Sequence, residues 1–131
     1  AEPLFRSRSV GHVLCNRLVV DEKRHAAYYT LTREDQKQFH FIKGDAEGLV
    51  NMPLQIKGLK LSISLREDTD RDRTIWVSLR SVDDFPCNEV SARFFNGGGH
   101  LNASGGRLNC SMSEAVKIVE QALLAFENKL K

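Results

Sequence analysis

Two stretches of the chain alternate strictly between apolar and polar positions. Leu59, Leu61, Ile63 and Leu65 are interleaved with Lys60, Ser62, Ser64 and Arg66. Ile75, Val77 and Leu79 are interleaved with Thr74, Trp76, Ser78 and Arg80. A period of two buries one face of each strand and turns the other elsewhere. Gly58 opens this hairpin, and the charged connector Glu67 to Arg73 predicts a solvated loop. With Arg66 opposite Thr74, Ser62 would face Ser78 and Lys60 would face Arg80. The second face would then carry small hydroxyls and two cations. Such a face most often meets water, and it can also receive an anion.

Helical spacing governs both ends of the chain. Val10, Val13, Leu14 and Leu18 predict a helix from Leu4 to about Val20. At the other end, Val116, Val119, Leu123, Phe126 and Leu130 recur at steps of three and four. Ser111 and Glu114 stand at capping-box spacing before them, so a long C-terminal helix is expected there. Between the ends, Ala26 to Thr32 reads as a strand. Arg33 to Phe39 reads as a short helix with Thr32 at its cap. Lys43-Gly44-Asp45 breaks the chain, and Asp45 can cap a second short helix through Val50, ended near Pro53. Asn88 to Phe95 predicts another helix, capped by Asn88, before the glycine-rich stretch Gly97 to Gly106. Helices interleaved with strands give an α/β fold: a single domain with a mixed β-sheet flanked by helices, a Gly-rich loop and the long C-terminal helix.

Composition narrows the function classes. The 131 residues are 41% hydrophobic and 27% charged, an ordinary globular balance that argues against disorder. Nineteen Lys and Arg against seventeen Asp and Glu leave +2, too little to hold a long duplex by bulk charge. No apolar run approaches the ~20 residues of a bilayer span, and no secretory leader is visible, so no membrane partner is expected. Cys15, Cys87 and Cys110 are odd in number and far apart, which favours reduced thiols over a disulfide framework or zinc site. The first residue is Ala1 rather than Met, so a native start upstream is expected.

Candidate chemistry concentrates in Asn96 to Gly106. Consecutive glycines let backbone approach a ligand, and their N–H groups can form an anion nest with His100 beside it. A bare triple glycine is more often a flexible loop. Here, however, no carboxylate occurs from Val90 to Ser113, whereas Arg93, His100 and Arg107 do. Arg80 ends a strand in Ser78-Leu79-Arg80-Ser81 and could grip phosphate bidentately; a solvated edge arginine fits periodicity equally well. In Gly44-Asp45-Ala46-Glu47-Gly48-Leu49-Val50-Asn51, capping explains both acids without function. Asp68, Asp70 and Asp72 imitate a calcium loop, but its glycine position holds Arg73 and its final glutamate position Leu79. His12, His25, His40 and His100 lack metal-site spacing, and neither a P-loop nor a nucleophile elbow is present.

The run Gly97-Gly98-Gly99-His100-Leu101-Asn102-Ala103-Ser104-Gly105 resembles the signature of the DHH-associated domain, the C-terminal domain of DHH-type phosphoesterases. Ser78-Leu79-Arg80-Ser81 and Gly44 to Asn51 resemble matching segments of the bacterial nano-RNase branch. That branch includes oligoribonucleases, exopolyphosphatase-related proteins and phosphatases of adenosine 3′,5′-bisphosphate. Ala46 stands where the family pattern usually has Thr. The resemblance implies residues 1–25 as a linker helix from a missing N-terminal domain, and residues 26–131 as the substrate-binding domain. It places a manganese pair and the Asp-His-His triplet on an N-terminal DHH catalytic domain in cis. This chain has no Asp-His-His, so it holds no catalytic or metal residue by this reading and is expected to be inactive alone. Gly97, Gly98, Gly99 and His100 would face the interdomain cleft. Arg80 would bind a terminal phosphate, with Ser81, Asn102 and Ala103 as neighbours. The implied ligand is a short oligonucleotide, a nucleotide or another phosphorylated small molecule, in the cytoplasm; a homodimer is compatible with it. The alternative is a nucleic-acid-binding module resembling the C-terminal domain of alanyl-tRNA synthetases.

Overall fold

A computed structural model describes Gly11 and residues 16–38 and 48–131. Six strands form one mixed sheet in the order β1-β2-β3-β4-β6-β5. They are β1 (Val19–Asp21), β2 (Ala26–Leu31), β3 (Leu61–Glu67), β4 (Ile75–Ser81), β5 (Gly98–His100) and β6 (Ala103–Leu108). β2 and β3 run parallel and every other pair antiparallel. The helices are α1 (Arg33–Gln38), α2 (Cys87–Phe94) and α3 (Met112–Leu130). The α/β class, the mixed sheet and the long C-terminal helix are thus as the sequence predicts. Among the described residues no helix is long and apolar enough to cross a membrane.

The sheet's two faces differ. One carries Leu61, Ile63, Leu65, Ile75, Val77 and Leu79, all buried against α2 and α3. Phe126 of α3 meets Phe85 edge-on at 6.1 Å within this core. The capping box is present: Ser111 Oγ accepts the Glu114 N–H, and Glu114 reaches back to the Ser111 N–H. Of the apolar stripe, Val119, Leu123, Phe126 and Leu130 are buried, which is what its spacing requires. On the other face the described residues form a packed layer over β2 and β3. There Tyr29, Leu31 and Leu49 pack with Leu18 and Met52, contributed by the crossover between the parallel strands and the segment before β1.

Several local expectations change. Val19 and Val20 are not helical; as β1 they fold back on Ala26–Tyr28 through a turn tied by Asp21, which accepts Arg24 N–H at 3.1 Å. β-branched neighbours before a charged turn favour that hairpin. The sheet therefore begins before Ala26. The rest of the expected N-terminal helix, apart from Gly11 and residues 16–18, lies outside the described residues, as do the Lys43-Gly44-Asp45 break and the Asp45 cap. Thr32 does cap α1, accepting Asp35 N–H at 3.1 Å. Residues 48–51 are helical, and the chain continues as a 3-10 turn, Met52–Gln55, with Pro53 inside its start rather than past its end.

The β3–β4 register is shifted by two residues: Arg66 faces Trp76, Ser64 faces Ser78 and Ser62 faces Arg80. The cause is Asp68. It accepts Asp70 and Arg71 N–H at 2.8 Å each and Trp76 Nε1–H at 2.8 Å, so the strand runs through Glu67 before turning. Helix α2 starts one residue early, at Cys87, with Pro86 at its cap; Asn88 makes no cap bond. The glycine-rich stretch is a strand pair, β5 and β6, and its only loop is the turn Leu101–Asn102.

Candidate anion-binding site

The half-covered face is where Arg80, Gly98, His100 and Ala103, half of the predicted site residues, meet. Its register reads as rows across the strands. Ala27, Ser62, Arg80, Ala103 and His100 stand side by side from β2 to β5. Two residues along, Tyr29, Ser64, Ser78, Gly105 and Gly98 form the next row. The third row ends with Trp76 opposite Arg107. Over β4, β6 and β5 these rows are open. Arg80, Ser78, Ala103 and Gly105 are half-buried, while Gly98 and His100 are exposed. This half-open face, the trough, is flanked over β2 by Leu49 and Met52 of the crossover.

No Asp or Glu occupies this face of the strands. Arg80 Nη1 donates to the carbonyls of Leu79 at 2.8 Å and Ser104 at 3.4 Å, and no carboxylate pairs with it among the described residues. Its cross-strand neighbour Ala103 leaves the space beside it free. On its other side, Ser62 Oγ is buried with no hydrogen-bond partner. A buried hydroxyl without a partner is uncommon and costs stability unless a ligand or water completes it.

The three glycines divide by role. A Cβ on Gly97 would lie 1.8 Å from the Gly105 carbonyl oxygen, so Gly97 exists for backbone packing. Gly99 has φ +148°, and a Cβ there would lie 2.7 Å from the Ala103 carbonyl oxygen. Gly98 alone faces open space, with nothing within 4 Å of a built Cβ. As a strand, Gly98–His100 sends successive amides to opposite sides, so they line a sheet edge instead of converging in one nest.

Ser81 and Asn102 are placed apart from Arg80. The pleat turns Ser81 to the core side, where its Oγ–H reaches the carbonyls of Phe85 at 2.8 Å and Leu101 at 3.1 Å. Asn102 Nδ2 donates to Ser81 Oγ at 3.0 Å and to the Asp83 carbonyl at 3.2 Å. These two side chains hold the β5–β6 turn against the end of β4. Arg93 is also elsewhere: its guanidinium lies 5.0 Å from the Phe126 ring centroid, on the core side. Arg107 does lie on the trough face, with its guanidinium carbon 5.3 Å above the Trp76 ring.

Tyr29 and the Ser64 hydroxyl are members of the site's floor that the sequence did not single out. Burial pushes the Tyr29 phenol well above its ordinary range, against the opposing pull of a Ser64 hydrogen bond and the Arg80 charge. The Asp68 carboxylate is held well below its ordinary range, first by the Trp76 indole and then by the Arg71 and Asp70 amides. It is committed to its own turn, not to a cation. Among the described residues no three His, Cys, Asp or Glu side chains are grouped to hold a metal. The described residues therefore offer no donor set for a manganese pair. Cys87 and Cys110 are free and buried; Cys15 lies outside the described residues. A groove of 790 Å³ lies on the other side of the sheet, between β1 and α3, lined in part by Val19, Val20, Tyr28 and Leu124. It collects none of the predicted site residues.

Residues 23–125 match the DHHA1 domain family. An exopolyphosphatase-related protein from Bacteroides fragilis is 52% identical, with a TM-score of 0.89, over 96% of this chain and 36% of that one. This chain thus spans about a third of that relative. A pGpG-specific phosphodiesterase from Vibrio cholerae shares the fold at 16% identity and TM-score 0.57, over 99% of this chain and 40% of that one. The C-Ala domain of Aquifex aeolicus alanyl-tRNA synthetase shares it at 16% identity and TM-score 0.53, over 75% of this chain and 89% of that domain. None of the curated proteins matches the chain.

Proposed function

The chain belongs to the DHHA1 domain family, and on that premise we propose that it is the substrate-binding domain of a DHH-type phosphoesterase. It holds a short oligonucleotide or nucleotide by a terminal phosphate and presents the ester to a catalytic domain lying N-terminal in cis. The observation that carries this reading is the row Ser62–Arg80–Ala103–His100. It sets a guanidinium that has no carboxylate partner among the described residues in one row with an exposed imidazole, on a face whose strand positions carry no Asp or Glu and whose Asp68 carboxylate, past the end of β3, is held by the Trp76 indole. Arg80 can leave its two carbonyl acceptors for a phosphate, which takes two parallel guanidinium bonds where a carbonyl takes one. His100 offers a further donor from the edge, and the buried Ser62 hydroxyl is the donor in that row still lacking an acceptor. Manganese, when present, would supply water activation on the other domain. This chain supplies binding and orientation.

Titration calorimetry of the 131-residue chain with a 5′-phosphorylated dinucleotide tests the reading. Weak binding that Arg80→Ala abolishes is expected, with no hydrolysis in the presence of manganese. Turnover by this chain alone would refute the division of labour. The likeness to the C-Ala domain supports the competing idea of a nucleic-acid module. Affinity that climbs with RNA length and collapses with salt would favour that idea instead.

A further inference from the structure

We infer that the free edge of β1, with the groove between it and α3, docks a second copy of this chain about a two-fold axis. The groove of 790 Å³ gathers Val19, Val20 and Leu124, which are 45%, 39% and 57% exposed. The other exposed large apolar side chains among the described residues, Ile56 and Leu101, line no part of it. Exposed apolar side chains that converge on one concave surface mark an interaction site. β1 is also an end strand of the sheet, so its outer edge has no neighbouring strand. The opposite end, β5, presents Gly98, Gly99 and His100 and no apolar side chain. With three residues β1 offers few backbone bonds, so the groove must supply the remaining contact. Charge selects the occupant. Asp21 and Arg24 of the lining pair with each other at 2.8 Å. Glu22, Lys23, Lys117 and Glu120 also line the groove, and no ion pair joins any of them to another described residue. Two acids and two bases leave no net sign to draw a nucleic acid or an anionic surface. Lys117 and Glu120 are both exposed, three residues apart on the groove side of α3. A two-fold axis along the sheet normal at this edge reverses both β1 and α3, so each of these charges can meet its opposite on the copy. That is the self-complementarity an isologous interface requires. The groove opens on the α3 side of the sheet, away from the trough, so no part of this pairing depends on an anion in the trough.

Sedimentation equilibrium of the 131-residue chain, from about 1 to about 500 µM, reads the pairing directly. A reversible monomer–dimer equilibrium is expected, with no larger species, because a two-fold interface closes on itself. Leu124→Arg and Lys117→Glu should each raise the dimer dissociation constant about tenfold or more, since each change enters the interface twice. Both side chains are exposed, so the monomer fold should be kept, which circular dichroism checks. Lys117→Glu combined with Glu120→Lys restores opposite signs across the axis and should return the constant to within about threefold of the wild type. A chain that stays monomeric throughout the range overturns the inference, and the groove then belongs to another partner or to none. A dimer indifferent to Leu124→Arg and Lys117→Glu overturns it too, because the copies then meet on another surface. So does a double reversal that weakens the dimer further than Lys117→Glu alone, since the two charges then do not meet across the axis.

Discussion

Ser62 and Gly98 show how single atoms divide stability from binding. The Ser62 hydroxyl is fully buried without a partner, so the folded chain carries its desolvation cost. Ser62→Ala should leave the urea midpoint unchanged or raise it, while dinucleotide affinity falls; a lowered midpoint would mean that the hydroxyl is already bonded in the free chain. The glycines give a matched pair. Gly97→Ala drives a methyl into the Gly105 carbonyl and should cost about 1–3 kcal/mol in denaturant unfolding. Gly98→Ala meets nothing, should be neutral in the same assay, and should obstruct the trough. Asp68 adds a pH dependence. Its folded-state pKa is depressed, so its contribution is complete above the ordinary carboxylate range near pH ~4 and is lost as pH falls below it. Asp68→Asn should therefore flatten the acid limb of the stability profile, and an unchanged limb would show that the turn bonds carry no linkage.

At the scale of elements, legibility followed the number of signals each segment carried. Helix α3 was readable at both levels, since a capping pair and an apolar stripe agree. Ser111→Ala should lower unfolding free energy by about 1 kcal/mol, because the Glu114 N–H loses the hydroxyl that accepts it. The β3–β4 hairpin was legible in its faces but not in its register. A two-residue slip keeps every side chain on its own face, so periodicity could not detect it; only the Asp68 side chain decides it. The slip matters, because it puts Ser62 rather than Lys60 beside Arg80. Strand β2 hid its contribution for the opposite reason. Both of its faces are buried, so Tyr28 and Tyr29 show no alternation, and nothing distinguishes the one reaching the core helices from the one under the site. The glycine run was misleading as structure, since glycines have low strand propensity, yet Gly98 and Gly99 pair with Gly105 and Ser104 of β6.

For the whole molecule, the sheet sets the core and the proposed site on opposite faces. One face carries the continuous core beneath α2 and α3, and the other carries the trough, with the strands' own thickness between them. Perturbing one should leave the other intact. Phe126 is 3% exposed within that core, and Phe126→Ala should cost about 3–5 kcal/mol. The molecules that remain folded should still bind dinucleotide with unaltered affinity. His100 is exposed on the edge strand; His100→Ala should shift stability by less than about 0.5 kcal/mol and weaken the dinucleotide. Ligand should also raise the melting temperature of the wild type and of Phe126→Ala alike, by mass action on the folded state, and fail to raise that of Arg80→Ala. Thermal melts of these variants with and without dinucleotide decide the matter. If Phe126→Ala abolished the ligand-induced rise while remaining folded, binding would depend on the core face, and the trough could not be where the anion sits.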